Sequence, residues 1–359
     1  MKKSSQTVAW FNSYLSGKRC QTVAVNKEDG SVSFSECTAV TRGVPQGSIL
    51  GPLLFILYSA DIFSCIHHCQ YHAYADDIQL YISFDPSQTL ASTTKLNSDL
   101  DRISAWSREN SLVLNKEKTK YMILGTPNMV RRIECENPIV TVENSSIERV
   151  NEARNLGVVF DENLRFEKHV NTTIANCFYR LKLLYRIREH LNVEVRIRLC
   201  ESLVLSKFNY ADVMYGPRLL RRSKNAIQRV QNACARFCWD VPPRSHITPY
   251  LMEAGCLKME SRRRLHLASL LFGVVMTKAP KYLYDKLAWM GEGSVYATRS
   301  SFCKLAIPRS VTAAFRGSFK YSATKCWNNL PPPILNSISL NSFKQKYKKY
   351  LLHEFKFQP

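Results

Sequence analysis

The sequence predicts an α+β protein in which a mixed first part is followed by a mostly helical second part. Short apolar runs separated by turn residues fill residues 20–83 and 112–124, which is typical of strands. After residue 166, apolar residues recur at helical spacing over 166–190, 193–209 and 223–238. With 45% hydrophobic residues, the chain of 359 residues can build a core, which excludes a disordered or collagen-like protein.

The first elements are predicted from turn and cap residues. Residues 6–16 carry a helical apolar stripe that ends before a glycine. Residues 28–30 are a typical hairpin turn between the runs 22–25 and 32–34. An apolar helix is predicted over 52–63, because a proline suits a first helical turn.

The middle elements surround two acidic residues. Strands are predicted over 71–75 and 78–83, on either side of Asp76 and Asp77. An amphipathic helix is predicted over 90–110. It places Leu96, Leu100, Ile103 and Trp106 on one face, and later strands are predicted over 112–114, 121–124 and 126–160.

The net charge of +21 is concentrated in the second part of the chain. Residues 1–126 have 12 basic and 11 acidic side chains, whereas residues 127–359 have 38 and 18. This excess predicts a polyanionic partner. We expect nucleic acid and no membrane, because the one candidate amphipathic end segment, 342–352, is short.

The sequence also favours an intracellular protein, nuclear or cytoplasmic. No apolar run is long enough to span a bilayer, and the basic start is not followed by the apolar region of a signal peptide. The twelve cysteines have no repeated spacing, which predicts reduced thiols. The sequence predicts no oligomeric state.

Asp76 and Asp77 are candidate metal ligands. Adjacent side chains on a strand point to opposite faces, but a tight hairpin tip breaks that alternation and brings both carboxylates to one place. Mg²⁺ prefers a few carboxylates together with substrate phosphates, and a pair of such ions can activate a hydroxyl and stabilise a leaving pyrophosphate. Taken alone, an Asp-Asp pair in a turn is more often a solvated turn.

Residues 42–52, with the sequence RGVPQGSILGP, form a second candidate segment. Glycines let the backbone approach a ligand closely, and the segment leads into a helix whose first N–H groups suit a phosphate. The segment lacks the Gly-Lys-Ser/Thr ending of a phosphate loop, so no ATPase is predicted. Any one of its glycines could equally belong to a simple helix-entry turn.

Ordered segments of the chain together resemble the reverse transcriptases of non-LTR (LINE) retrotransposons, nearest to jockey-like elements. The first two are residues 42–52 and the run Tyr74-Ala75-Asp76-Asp77, and five more follow at 114–120, 155–158, 228–235, 327–331 and 342–344. The resemblance implies a partial right-hand polymerase palm, then a helical thumb and a mixed, mostly helical basic C-terminal domain. Its parts are expected at 1–125 (palm), 126–160 (primer-grip-like strands), 161–225 (thumb) and 226–359 (basic domain).

The resemblance implies an RNA-directed DNA polymerase that adds dNTPs to a primer 3′-hydroxyl with two Mg²⁺ ions, or Mn²⁺ in their place. Its partners would be an RNA template, a DNA primer or target, and dNTPs. Lys118 would donate a proton to pyrophosphate, although without the resemblance it reads as a surface lysine. The other implied roles are metal binding by Asp76 and Asp77; nucleotide and template positioning by Pro45, Gln46, Gly47, Tyr74 and Ala75; primer grip by Leu156 and Gly157; and backbone contacts by Arg180, Lys182, Arg186 and Arg188.

One expected part of that site has no match. The family holds its metals with a further Asp, on a strand that precedes the helix at 6–16, whereas the acids before residue 42 are Glu28, Asp29 and Glu36. We therefore expect an N-terminally truncated reading frame that is inactive or nearly so alone. The alternative is a non-catalytic nucleic-acid-binding remnant of a retroelement.

Cys234, Cys238 and His246 have part of the spacing of a zinc knuckle. No fourth ligand stands at the expected distance, and a structural zinc site needs four. Both cysteines also lie on one face of a predicted helix, so core packing is the favoured interpretation.

Overall fold

The computed structural model describes residues 5–15, 19–40, 43–44, 47–290, 304–310 and 312–356. The chain divides into two compact units. The first unit comprises Met1–Tyr121 and Arg131–Arg149, and the second comprises Met122–Val130 and Val150–Pro359. Both units contain helices and strands, so the predicted mixture of α and β structure is confirmed. No helix in the described ranges is long and apolar enough to cross a membrane.

The first unit is built from short strands that pair two at a time. Four pairs are antiparallel and one is parallel, β7 with β10. The elements are α1 (Ser5–Leu15), β1 (Cys20–Gln21), β2 (Ala24–Asn26), β3 (Val32–Phe34), β4 (Thr38–Ala39), α2 (Gly51–Tyr58), β5 (Gln70–Tyr74), β6 (Asp77–Tyr81), α3 (Thr89–Glu109), β7 (Lys120–Tyr121), α4 (Pro127–Cys135, which begins in the second unit), β8 (Thr141–Val142), β9 (Ser145–Ser146) and β10 (Glu148–Arg149).

Most predicted elements of this unit are confirmed. The first helix, the hairpin of β2 and β3, the strands beside the two aspartates and helix α3 all form. The apolar helix is shorter than predicted, because α2 ends at Tyr58 and a 3₁₀ helix follows at Ala60–Cys65. On α3, Ile103 and Trp106 pack against Ile62, whereas Leu96 and Leu100 pack beneath Val140 and Val142.

Three of the predicted strand segments are wrong in whole or in part. Of residues 121–124, only Tyr121 lies in a strand, β7. Residues 112–114 form no strand. Val113 is 94% exposed, so the side chains alternate as they would on a strand, but no strand in the described ranges pairs with them. Residues 127–135, predicted as strand, form helix α4 instead. This segment is helical because the buried side chains of Val130 and Ile133 lie one helical turn apart on the same face. The rest of 126–160 does contain strands.

The prediction that all cysteines are reduced is also wrong. Cys20 and Cys37 form a disulfide beside the paired strands β1 and β4, with their Cα atoms 5.8 Å apart. That separation is normal for a disulfide, and the two residues come together because the hairpin of β2 and β3 folds the intervening chain back. Nine other described cysteines are free thiols.

The second unit is one β-hairpin followed by helices. The predicted helices at 166–190, 193–209 and 223–238 are confirmed, although the second ends in π and 3₁₀ turns. The elements are β11 (Glu152–Asn155), β12 (Val158–Asp161), α5 (Glu167–Tyr185), α6 (Val193–Leu199), α7 (Asp212–Tyr215), α8 (Arg221–Trp239), α9 (Thr248–Glu253), α10 (Met259–Thr277), α11 (Lys281–Tyr284), α12 (Ala313–Arg316), α13 (Phe319–Asn328), α14 (Pro332–Leu335) and α15 (Leu340–Lys356).

Two apolar cores hold the second unit together. Phe166, Phe208 and Phe237 lie in the first core, which joins β12, α5, α6 and α8. Phe272 and Phe343 stack in the second core with ring centroids 4.5 Å apart, and this core joins α10, α13 and α15. Each ring is almost fully buried, which explains why the helical periodicity of this part of the sequence is so clear.

Candidate functional site

The two aspartates lie at the tip of an antiparallel hairpin. Strands β5 and β6 pair with Tyr74 opposite Asp77, so Ala75 and Asp76 form a two-residue loop. Ala75 has a φ of 53°, in the left-handed region that favours glycine. A positive φ at the first loop residue turns the chain tightly enough to bring two consecutive carboxylates to one end of the hairpin.

The face of the hairpin that carries Asp77 is directed away from the core. Ile78 and Leu80 pack into the apolar cluster around Ile62 and α3. Because successive side chains of a strand alternate, Asp77 lies on the other face, together with its cross-strand partner Tyr74, which is 67% exposed. The acidic tip and the tyrosine are therefore accessible to a ligand.

The carboxylates of Asp76 and Asp77 are exposed and form no hydrogen bond or ion pair with another described residue. Two carboxylates are what Mg²⁺ commonly takes from a protein when substrate phosphates supply further oxygens. Within the described ranges, no cluster of three or more His, Cys, Asp or Glu residues could hold a metal ion. The pair thus fits a metal that arrives with a phosphorylated ligand, and it does not form a complete protein-only site.

Asp99 anchors the start of the same hairpin, and sequence reasoning missed it. Its buried carboxylate accepts hydrogen bonds from the backbone N–H groups of His67, His68 and Cys69, at 3.1, 2.9 and 2.7 Å. It also pairs with Arg102. Burial would raise the pKa of this carboxyl, but the three N–H donors outweigh it and hold the pKa well below its usual value.

A signal for Asp99 is present in the sequence. The apolar face of α3 carries Leu96, Leu100 and Ile103, and Asp99 falls on that face at helical spacing. An acid on a buried stripe needs partners, because an unpaired buried charge is very costly. The three N–H groups that satisfy it come from about thirty residues earlier, so the sequence alone does not identify them.

Lys118 lies in an exposed turn between α3 and β7. The Asn115 side chain accepts a hydrogen bond from the Lys118 backbone N–H at 3.0 Å and fixes the turn. The neighbouring lysines are engaged, since Lys116 pairs with Glu143 and Lys120 with Glu148. The Lys118 ammonium forms no ion pair with a described carboxylate and so is available to an outside anion.

Of the loop before α2, only a part can be described. Pro45 and Gln46 lie outside the described residues, whereas Gly47 has a φ of 79° and open space around its Cα. The Ser48 hydroxyl accepts a hydrogen bond from the Gly51 backbone N–H at 3.1 Å, at the start of α2. Gly47 therefore occupies a backbone conformation that only glycine adopts without strain.

Leu156 and Gly157 form the tight turn between β11 and β12, with φ values of 42° and 82°. The Tyr210 hydroxyl donates a hydrogen bond to the Leu156 carbonyl oxygen at 2.6 Å. Near the same end of β12, His169 accepts a hydrogen bond from the Val159 N–H at 3.5 Å, and burial, aided by Arg154, lowers the pKa of its imidazole. The hairpin is thus held against the helices of its own unit.

Replacing Gly157 with alanine should destabilise this hairpin. A Cβ here would lie 3.3 Å from the Tyr210 ring, and an L-residue at this φ is strained. We expect a loss of about 1–2 kcal/mol of unfolding free energy, measured by chemical denaturation. Gly255→Ala is the matched control, because Gly255 has a φ of 59° but open space around it. An equal loss in both variants would show that the Tyr210 contact has no effect.

The four predicted backbone-binding cations lie on or just after α5, but they are not equivalent. Lys182 and Arg186 are exposed and Arg180 is half-buried, and none of the three pairs with a described carboxylate. The Arg188 guanidinium is already engaged, because it donates to the Phe237 carbonyl oxygen at 3.0 Å and pairs with Asp240 at 2.6 Å. Arg188 therefore joins the end of α5 to the end of α8.

The basic run 262–264 is likewise used inside its unit. Arg262 pairs with Glu201 at 2.6 Å, Arg264 pairs with Glu354 at 2.8 Å, and Arg263 is 9% exposed. By contrast, the lysines of α15 at positions 344, 346, 348 and 349 are exposed. The net charge of the second part therefore overstates the number of basic side chains that are available to bind a polyanion.

Cys234 and Cys238 are buried on one face of α8, as the core-packing interpretation predicts. The thiol of Cys238 lies 3.8 Å from that of Cys200, and burial and this neighbour raise its pKa. His246 is exposed on a later loop.

Comparison with known proteins identifies the first part of the chain. Residues 2–160 match the family "Reverse transcriptase (RNA-dependent DNA polymerase)". This match includes the carboxylate hairpin, the Lys118 turn and the hairpin of β11 and β12. Residues 2–160, somewhat less than half of the chain, are therefore similar to a reverse transcriptase segment.

The curated relatives that the chain matches are RNA-directed DNA polymerases of mobile elements. Over 247 residues, the chain is 27% identical to the probable RNA-directed DNA polymerase from transposon BS of Drosophila melanogaster, covering 65% of this chain and 25% of that protein. Over 227 residues it is 26% identical to the RNA-directed DNA polymerase from mobile element jockey of Drosophila funebris, covering 59% and 23%. The chain thus spans about a quarter of the length of these relatives. No solved structure matches it.

Proposed function

We propose that this chain is the polymerase segment of a retrotransposon reverse transcriptase, adding dNTPs to a primer 3′-hydroxyl on an RNA template. The observation that carries the proposal is the Asp76–Asp77 pair at an exposed hairpin tip, with unpaired carboxylates and an adjacent exposed Tyr74. The match of the surrounding segment to the reverse transcriptase family supports it.

In this proposal, Asp76 and Asp77 would hold Mg²⁺ together with the phosphates of the incoming dNTP. The bound ion would activate the primer hydroxyl and stabilise the leaving pyrophosphate. Tyr74 and Ala75 would lie beside the primer terminus, and Gly47, with Pro45 and Gln46, would contact the nucleotide. The two carboxylates are few for a two-metal site, so we expect addition by this chain to be slow, because small misplacements of reacting groups cost orders of magnitude in rate.

The basic second unit would hold the nucleic acid. We propose that 126–160 contributes a primer grip at Leu156 and Gly157, and that 161–225 is a thumb, followed by a basic domain at 226–359. Arg180, Lys182 and Arg186 would contact backbone phosphates, whereas Arg188 would support the helix that carries them. Phosphate contacts of this kind give affinity that falls steeply with salt and reads no sequence.

Lys118 would act as the proton donor to the leaving pyrophosphate, because it is the one lysine of its turn without an ion pair among the described residues. A general acid contributes about 10²–10⁴-fold to a rate. Lys118→Gln should therefore lower the single-turnover rate of dNMP addition by at least about 10²-fold while leaving primer–template affinity within about twofold. Lys95→Gln, at an exposed lysine of α3, is the control, and equal rates in both variants would contradict the role.

The direct experiment is extension of a labelled DNA primer on an RNA template by the full chain. We expect slow addition of dNMPs that requires Mg²⁺ and follows the template sequence. Binding of the primed RNA with no addition over long incubation would instead support the alternative, a non-catalytic nucleic-acid-binding remnant. The internal use of Arg188 and Arg262–Arg264 does not favour that alternative, because it reduces the free positive charge of the second unit.

A further inference from the structure

A cavity of about 280 Å³ in the second unit is lined by cations and amides, far along the chain from the carboxylate hairpin. Its walls come from the middle of α8, the loop before α9, α9 itself and the residue before α10. Arg236, Arg244 and Lys258 supply positive charge, and no Asp or Glu lines the cavity. It lies entirely within one unit, and its size is at the lower end of the range for small-ligand sites.

The guanidinium of Arg236 is incompletely satisfied. One of its Nη atoms donates to the Pro243 carbonyl oxygen at 2.9 Å and so holds the loop before α9. Its Nε is buried and has no hydrogen-bond partner. A buried donor without an acceptor costs about 1–3 kcal/mol, and Pro243 satisfies only one of the donors of this guanidinium. Arg244 is exposed and forms no ion pair with a described carboxylate.

The turns of α8 that precede Arg236 offer a hydrogen-bonding edge. The Gln228 amide is saturated, because it donates to Gln231 and Asn232 and accepts from the Met259 backbone N–H. These bonds fix the orientation of Asn232, whose side-chain oxygen is used and whose amide nitrogen keeps its protons. Ile247 and Leu251 add an apolar surface. The cations suit a phosphate, the amide donor suits the edge of a base, and the apolar wall suits the face of a base.

We propose that this cavity binds one nucleotide of a single-stranded nucleic acid, with its phosphate held by Arg236, Arg244 and Lys258 and its base edge held by Asn232. This inference rests on the proposed function, in which the second unit holds a nucleic-acid strand. The cavity would be one binding site for that strand. The cavity has room for one such group and not for a base-paired helix, so it selects unpaired strand over duplex.

The test compares the affinity of the full chain for labelled single-stranded oligonucleotides and for a duplex of equal length, by fluorescence anisotropy across a salt series. Arg244→Gln should weaken single-strand binding at least about tenfold and lower the salt slope by about one, with little effect on the duplex. Arg229→Gln, an exposed arginine of α8 outside the cavity, is the matched control. Arg236→Gln should act in the same direction, with thermal melting to check that the loop still folds.

Four outcomes decide the matter. A loss of single-strand affinity in Arg244→Gln, with duplex affinity kept, supports the cavity proposal. So does crosslinking of a 4-thiouridine oligonucleotide to residues 243–248 that occurs in the wild type and is reduced in that variant. Equal small losses in Arg244→Gln and Arg229→Gln would overturn the cavity proposal while leaving nucleic-acid binding intact. Competition by inorganic phosphate or a free dNTP as effective as the oligonucleotide would also overturn it, because the site would then not require a strand. Absence of any binding to single strands or primed RNA would contradict the proposed function as well.

Discussion

Replacing Asp99 with alanine is expected to lower the free energy of unfolding by about 3–5 kcal/mol, the cost of breaking a buried, hydrogen-bonded charge pair. The change leaves three backbone N–H groups and Arg102 without their acceptor. Because those N–H groups immediately precede β5, the loss falls on the hairpin that carries the catalytic candidates. The measurement is chemical denaturation at neutral pH.

Asp101→Ala is the matched control for that experiment, because Asp101 is an exposed acid on the same helix. If Asp99→Ala fails to fold, Asp99→Asn keeps the shape and one acceptor oxygen, and hydrogen exchange at His67, His68 and Cys69 then reports the loss. Unchanged protection of these amides would contradict the anchoring role.

The stabilisation by Asp99 should disappear in acid. The folded pKa of Asp99 is lowered, whereas an unfolded aspartate has a pKa of about 3.9. As the pH falls below about 4, the unfolded chain takes up a proton before the folded chain does, so the stability due to this group declines. The difference in unfolding free energy between wild type and Asp99→Ala should therefore shrink from pH 7 to pH 3. A constant difference over that range would contradict the pKa shift.

Asp76→Asn and Asp77→Asn are each expected to reduce the rate of dNMP addition by about 10²-fold or more. Asparagine keeps the size of the side chain but removes the negative charge that holds a cation. Both residues are exposed and lack hydrogen bonds to described residues, so the fold should be preserved. Single-turnover primer extension on an RNA template is the measurement.

Two controls separate catalysis from binding in these variants. Asp101→Asn removes one negative charge from the same unit at an exposed position and should extend the primer as wild type does. The affinity for primed RNA should also be unchanged, because the cations proposed to hold the strand lie in the other unit. Wild-type rates of dNMP addition in both aspartate variants would contradict a role of this hairpin in the reaction.

Local sequence signals predicted the strands around the two aspartates well, because the contacts there are local. The strands on either side of Asp76 and Asp77 form, because apolar runs and a short turn are encoded within a dozen residues. By contrast, a turn at Leu156 and Gly157 interrupts the strand predicted over 126–160, although the glycine gives a local signal for it. The reverse transcriptase resemblance agrees with the family match over residues 2–160, which contains four of the seven segments that carry it.

Sequence reasoning failed where a residue's role depends on a distant partner. Asp99 is satisfied by backbone groups about thirty residues earlier, and Arg188 by α8 about fifty residues later. Neither partner has a local signature, so the sequence predicts Arg188 as a free cation, and for Asp99 only its position on the apolar face of α3 gives a signal. The strand predicted over 127–135 is a different kind of failure, because the helical spacing of Val130 and Ile133 is a local signal that the strand prediction overlooked.

The most direct test of the account is the binding of Mn²⁺ to the full chain, measured by electron paramagnetic resonance with and without a dNTP. The central claim is that Asp76 and Asp77 hold a divalent metal jointly with nucleotide phosphates. It predicts that a dNTP tightens Mn²⁺ binding to wild type, and that the double variant Asp76→Asn, Asp77→Asn loses at least about tenfold of that affinity. Equal Mn²⁺ affinity in the wild type and the double variant, in the presence of the dNTP, would contradict it.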